Sequence, residues 1–235
     1  MASMKMNSPL GKVPRPRLYE QLVQQILGYV DAEQLGPGDR LPAERDLAER
    51  LGVSRATLSQ ALVALEVLGV IEVQHGNGAL LVYRPTLARV IRQLREHEKR
   101  LPDITEARST LEVKLASLAA VRRSDKDLEQ IQEALRFMAE EIESGERGAR
   151  GDEMFHQAIT HAARSSVLQQ LMAFIAEMVL ETRIESLSQP GRPEQSLASH
   201  RKIFDAIKKG DPVAAGEAMQ DHIDLVSDVA LLKES

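Results

Sequence analysis

Between Leu18 and Tyr83 three helical runs and two β-rich runs follow one another, each closed by its own breaker, and few folds accept that order. Leu18, Leu22, Ile26 and Val30 share one face at helical spacing. Gly36-Pro37-Gly38-Asp39 interrupts the pattern, Pro42 opens a second helix over 43–51, and Gly52 stops it. Ser54 is placed to cap a third helix, because its hydroxyl can accept from the N–H groups exposed in the first turn. That helix carries an apolar stripe of Leu58, Ala61, Leu62, Leu65 and Leu68, with Arg55, Thr57, Ser59 and Gln60 opposite, and ends at Gly69. Residues 70–74 and 79–83 then flank the turn His75-Gly76-Asn77-Gly78 as a hairpin. A helix-turn-helix followed directly by a hairpin is the winged-helix arrangement, in which the third helix enters a DNA major groove and the wing reaches the adjacent backbone or minor groove.

Beyond Arg84-Pro85-Thr86 the pattern changes. Residues 87–100 form a charged helix, and from Ile104 onward about six helical segments are separated by breaks near Ser124-Asp125, Gly145 to Gly151, Ser165-Ser166, Pro190-Gly191-Arg192-Pro193 and Gly210-Asp211-Pro212. Aromatic residues make up only 3% of the chain and tryptophan is absent, which favours helix packing over sheet. The predicted fold is mainly α. An N-terminal winged helix-turn-helix over 1–85 is followed by a linker helix over 86–102 and an antiparallel helical bundle over 103–235.

Charge separates the two parts. Residues 1–85 carry 9 basic and 9 acidic side chains, so the net charge of −5 belongs to the remainder. Bulk electrostatic coating of nucleic acid is thereby excluded, and DNA contact requires locally placed basic groups. Arg89, Arg92, Arg95, Lys99 and Arg100 in the linker could grip phosphate, but glutamates 96 and 98 are interspersed and a solvated face is the expectation. With no cysteine, neither a disulfide nor a thiolate metal site is available. No apolar run approaches the roughly 18 residues of a membrane span, and residues 1–9 lack an export signal, so a cytoplasmic location is expected.

The second part holds the donors of a metal site. Asp152 and His156 stand four apart on one predicted helical face, and His200 and His222 come from two later helices able to close on the same point. One carboxylate with three imidazoles favours Zn²⁺ or Ni²⁺, and admits Mn²⁺ or Fe²⁺ if water or ligand oxygens complete a five- or six-coordinate site. His161 and His97 are left out of the set, the first as a neighbour or surface residue, the second as part of the charged linker. Arg108, on the first bundle helix, is the leading clamp for an anionic effector, since a guanidinium near a metal holds a carboxylate by two hydrogen bonds. Its alternative is an ion pair with Glu112 or Glu106. Arg183 is a second candidate.

Residues 41–58, from Leu41-Pro42-Ala43-Glu44-Arg45 to Ser54-Arg55-Ala56-Thr57-Leu58, closely resemble the DNA-reading core of the GntR family of bacterial transcription regulators. The likeness continues through Leu68-Gly69-Val70-Ile71 and Gly76-Asn77-Gly78. It implies that Arg45 and Arg55 contact operator DNA, assisted by Thr57 and by the wing at His75 and Gly76. Where the family commonly has a third arginine this chain has Ser59, then Gln60, which alters the expected base preference. Residues 104–112, 152–156 and 200–207, with Gly210-Asp211 and His222, resemble the ligand-binding bundle of the FadR-type branch, the FCD domain. The resemblance implies a regulator, a repressor or an activator with the repressor taken first, that binds double-stranded operator DNA and responds to a small carboxylate through a metal-containing bundle; a homodimer is expected because one recognition helix reads few bases. A metal-dependent hydrolase or lyase, and a regulator with a purely structural metal, are the competing readings.

Overall fold

The computed structural model describes residues 18–74 and 78–227. Its elements in chain order are α1 (Leu18–Ala32), α2 (Glu44–Leu51), α3 (Arg55–Val67), β1 (Ile71–Gln74), β2 (Gly78–Leu81), α4 (Leu87–Arg122), α5 (Asp125–Glu143), α6 (Ala149–Ala162), α7 (Ser166–Leu187), α8 (Arg192–Lys209) and α9 (Pro212–Ser227).

The breakers act as the sequence predicts. Gly52 caps α2 at φ 66°, a left-handed conformation that costs glycine no Cβ clash. Ser54 caps α3 by accepting from Thr57 N–H at 3.1 Å. Leu58, Ala61, Leu62 and Leu65 are buried against α1, which contributes Leu22, Ile26 and Val30. β1 and β2 pair antiparallel with Ile71 opposite Leu81. Leu41 N–H donates to Ala79 carbonyl at 2.9 Å and Arg40 bridges to Leu80, so the segment after the Gly-Pro-Gly break lies beside the hairpin. His75 and Gly76 lie outside the described residues.

A second face of α3 was not foreseen. Val63, Ala64 and Val67 are also buried, and this side of the helix packs toward α4 and α7. The predicted linker and first bundle helix are in fact one helix of 36 residues, about 54 Å long at 1.5 Å per residue. Pro102 lies inside it, where it removes one N–H donor and its ring crowds the carbonyl one turn back, a cost the packing at both ends of the helix offsets. Both ends are anchored: Val90 and Leu94 sit in the winged-helix core, Leu115, Ala116 and Ala119 in the bundle core.

In the bundle α4 packs on α9, α6 and α8, and α5 packs on α6. The α5–α6 approach needs Gly151, where a Cβ would stand 2.4 Å from the Met138 Cα. That closeness fixes the start of α6, and therefore Asp152, against its neighbour.

Candidate metal centre and DNA-reading face

Asp152 and His156 project from successive turns of α6, His200 from α8 and His222 from α9. All four are buried, and one ligand atom from each lies within 4.8 Å of the others. His200 Nε2 is 3.3 Å from His222 Nε2 and 3.5 Å from Asp152 Oδ1. Two donors bound at about 2.1 Å to one ion, at tetrahedral or octahedral angles, stand roughly 3.0–3.4 Å apart, so these spacings fit a shared ion. His156 Nε2 is buried with no hydrogen-bond partner, the state of an imidazole whose lone pair awaits one. Phe155 stacks on the His200 ring at 4.2 Å and limits its rotation.

Electrostatics favour coordination. Burial lowers the pKa of His200 to about 3, and burial together with the neighbouring His200 holds His222 well below the ordinary histidine range, so both rings are neutral. Burial raises Asp152, but the facing Arg183 and the nearby histidines outweigh it and its pKa is lowered. Arg183 Nε stands 3.1 Å from Asp152 Oδ2, which leaves Oδ1 as the oxygen on the histidine side.

Glu112, read from sequence only as a possible partner for Arg108, has a larger part. Its Oε2 is 2.6 Å from His156 Nδ1, while Oε1 accepts from Arg108 Nε at 2.8 Å. Burial alone would raise it; Arg108 and His156 hold it well below the usual carboxylate range. A carboxylate on Nδ1 orients an imidazole and leaves Nε2 to bind metal.

The two arginines differ in access. Arg108 is buried and committed to Glu112 and, through Nη1 at 3.2 Å, to Thr182. The space among Arg108, Asp152, Arg183 and His222 measures only 10 Å³. A groove of 550 Å³ between α6 and α7 instead reaches His156 and Arg183, walled by Met172, Ala173, Ala176 and Leu180. His161 lines that groove and pairs with Asp127 at 3.4 Å. His97 departs from expectation: it is 1% exposed, set between Glu181 and Glu185 of α7 at 2.9 and 3.2 Å. Arg89, Arg92, Lys99 and Arg100 on the same helix are exposed.

On the winged helix, Arg45 and Arg55 are exposed, Ser59 is half-buried and Gln60 exposed. Thr57 is held by the cap, its hydroxyl 2.7 Å from that of Ser54. Arg45, Arg55 and Ser59 line an 800 Å³ cleft whose far wall is the α5–α6 turn, Gly145 to Arg150.

Residues 18–81 match the family model of bacterial regulatory proteins, gntR family, and residues 103–225 match the FCD domain. The HTH-type transcriptional regulator LutR of Bacillus subtilis is 34% identical over 83% of this chain and 93% of its own length. The chain belongs to the GntR family. A putative L-lactate dehydrogenase operon regulatory protein of Escherichia coli is 33% identical over 91% of this chain and 86% of its own. A solved structure of Lar, described as controlling the Listeria monocytogenes agr system, shares the fold, with TM-score 0.50 and 16% identity over 94% of this chain and 100% of that one. This GntR-family protein is thus a ligand-responsive, DNA-binding transcription regulator with an FCD domain; its families and relatives are regulators, not enzymes. No described helix is long and apolar enough to cross a membrane.

Proposed function

We propose that this GntR-family regulator is a metal-containing cytoplasmic repressor that senses a small carboxylic acid and binds a palindromic operator as a homodimer. The observation that carries the reading is the buried charge around the four donors. Asp152 and Glu112 are balanced by Arg183 and Arg108, and the histidines add no charge when they coordinate. A divalent ion held by Asp152, His156, His200 and His222 leaves the site with an uncompensated double positive charge, which an entering anion offsets. Zn²⁺ or Ni²⁺ suits the nitrogen-rich donor set best, with Mn²⁺ or Fe²⁺ admissible, and the ion's chemistry here is that of a Lewis-acid anchor. The relative named for an L-lactate dehydrogenase operon points to short hydroxy acids as the first ligands to try.

The acid meets the protein through the 550 Å³ groove, where Arg183 is reachable and Arg108 is not. Arg183 is therefore the contacting arginine, and Arg108 holds Glu112 and, through it, His156. On the DNA side Arg55 and Arg45 are the basic readers, with Ser59 and Gln60 beside them; two copies are required because one recognition helix reads few bases. The wing at His75 and Gly76 completes the contact.

The test is metal analysis of purified protein, followed by titration of L-lactate and related acids with and without chelator, and gel shift on a duplex selected from a random pool. Bound metal, acid binding lost on chelation and acid-altered gel shift are expected. Protein that carries metal but binds no short acid has a structural ion only. Protein that takes up no divalent ion overturns the sensor reading.

A further inference from the structure

The face of α3 that reads DNA is turned toward the effector bundle. Arg45, Arg55 and Ser59 look across the 800 Å³ cleft to Gly145, Arg147 and Arg150, and Arg55, Ser59 and Gln60 look across a smaller one, 340 Å³, to Ser188, Gln189 and Pro190. A recognition helix docks in a groove about 12 Å wide and 8.5 Å deep, and the two backbones bounding it need open space on both sides of the helix. The α5–α6 and α7–α8 turns occupy that space. This arrangement leaves the helix facing protein on the side where a duplex would lie.

Two sets of contacts hold it closed. Arg147, in the α5–α6 turn, pairs with Glu66 on α3, and both are half-buried. One turn of α7, Glu181 to Glu185, does the rest. Glu181 and Glu185 grip His97, and Glu185 and His97 together border Gln60, Val63, Ala64 and Val67 of α3. Ile184 packs on the winged-helix core. From the same turn, Thr182 accepts from Arg108 and Arg183 faces Asp152. Five consecutive residues therefore touch the candidate metal and effector site on one side and the DNA-reading module on the other.

We infer that the structure is an operator-excluding closed state, locked by Arg147 on Glu66, and that the α7 turn 181–185 transmits occupancy of the effector site to the lock. A ligand that draws on Arg183 shifts the residues seated on α3, and it changes DNA affinity only as far as it binds closed and open states unequally. The lock rests on geometry alone; the transmitting part rests on the sensor reading proposed above.

The experiment uses the full chain and a fluorescent duplex selected from a random pool by the wild-type protein. Arg147→Glu and the milder Arg147→Gln are titrated alongside wild type, with thermal unfolding to confirm that each is folded. Loss of a cation weakens DNA binding if Arg147 is merely part of the basic surface; loss of a lock tightens it, here by about fivefold, the lower end of ordinary coupling energies. Because the chain has no cysteine, spin labels at Glu44→Cys and Gln189→Cys, on opposite walls of the smaller cleft, report the opening directly. Lengthening of that distance when the duplex is added, together with tighter binding by both variants, supports the proposal. Unchanged or weaker binding by the variants, or an unchanged distance in the bound complex, overturns it. A wild-type chain that selects no duplex overturns the DNA-reading assignment as well, and Zn²⁺ or L-lactate leaving the label distance unmoved removes the transmitting part alone.

Discussion

Glu112 stands 2.6 Å from His156 across the junction of α4 and α6, and through this contact a helix that donates no candidate ligand orients one that does. Glu112→Gln keeps the size of the side chain and can still accept, but removes the negative charge that raises the basicity of the ring. Divalent-ion affinity should fall about 10- to 100-fold, the usual cost of losing such a partner. Competition with a calibrated chelator measures it. An unchanged affinity means that His156 is not a ligand or does not use Nε2.

Much of this architecture was legible because each helix announces its end. Gly52, Gly69 and Gly210 close helices in the left-handed conformation, and Ser54 and Ser124 cap others through their hydroxyls. Asp152 and His156 could be read from i, i+4 spacing and residue type, and His200 and His222 were joined to them by residue type and by the likeness to the FCD domain. Other features depend on partners that spacing does not disclose. His97 lies among Glu96, Lys99 and Arg100 and reads as surface, but its partners are 84 and 88 residues away. The Arg147–Glu66 pair spans 81 residues. The linker helix is read as ending at 102 and the bundle as starting at 103, yet burial of apolar residues on both sides carries α4 through that boundary.

From the sequence Arg108 comes first as the effector clamp; as proposed above, access to the groove puts Arg183 first. Arg183→Ala should weaken L-lactate binding by about tenfold or more, as expected when a charge-assisted hydrogen bond is lost. Arg108→Ala should instead act on folding, because it leaves the buried Glu112 carboxylate without its arginine and with only His156 beside it, a defect of about 3–5 kcal/mol. Isothermal titration of the first and chemical denaturation of the second separate the two roles. Equal loss of acid affinity in both, with stability intact, would restore Arg108 as a direct clamp.

His97 gives the stability a defined pH dependence. Burial depresses its pKa, but hydrogen bonds to Glu181 and Glu185 and the charges of both carboxylates outweigh that and raise it from 6.5 to about 9. Arg100, 4.0 Å from Glu181, is the other charge in the group. With the folded pKa above the unfolded one, the stabilisation is full below pH 6.5 and is lost as pH rises through 9; it amounts to something on the order of 3 kcal/mol. Denaturant unfolding from pH 6 to 10 should show the decline, and His97→Gln should flatten it over that window. A wild-type profile as flat as the variant's would mean that the ring is neutral in its cage.

Gly151→Ala should test how tightly the start of α6 is set. Inside a helix this change ordinarily stabilises by about 1 kcal/mol, because alanine gives up less backbone freedom. Here the added Cβ would lie 2.4 Å from the Met138 Cα and 2.5 Å from its N, and no rotation of a side chain relieves a clash with backbone. α6 has to move away from α5, which reverses the sign to a loss of about 1–3 kcal/mol. Asp152 is the next residue, and Gly151 N–H donates to Glu141 at 2.8 Å, so the displacement reaches the candidate ligand directly. Thermal unfolding and divalent-ion affinity should therefore fall together in this variant. A stabilised Gly151→Ala protein with undiminished ion binding would contradict the close helix approach on which the placement of Asp152 depends.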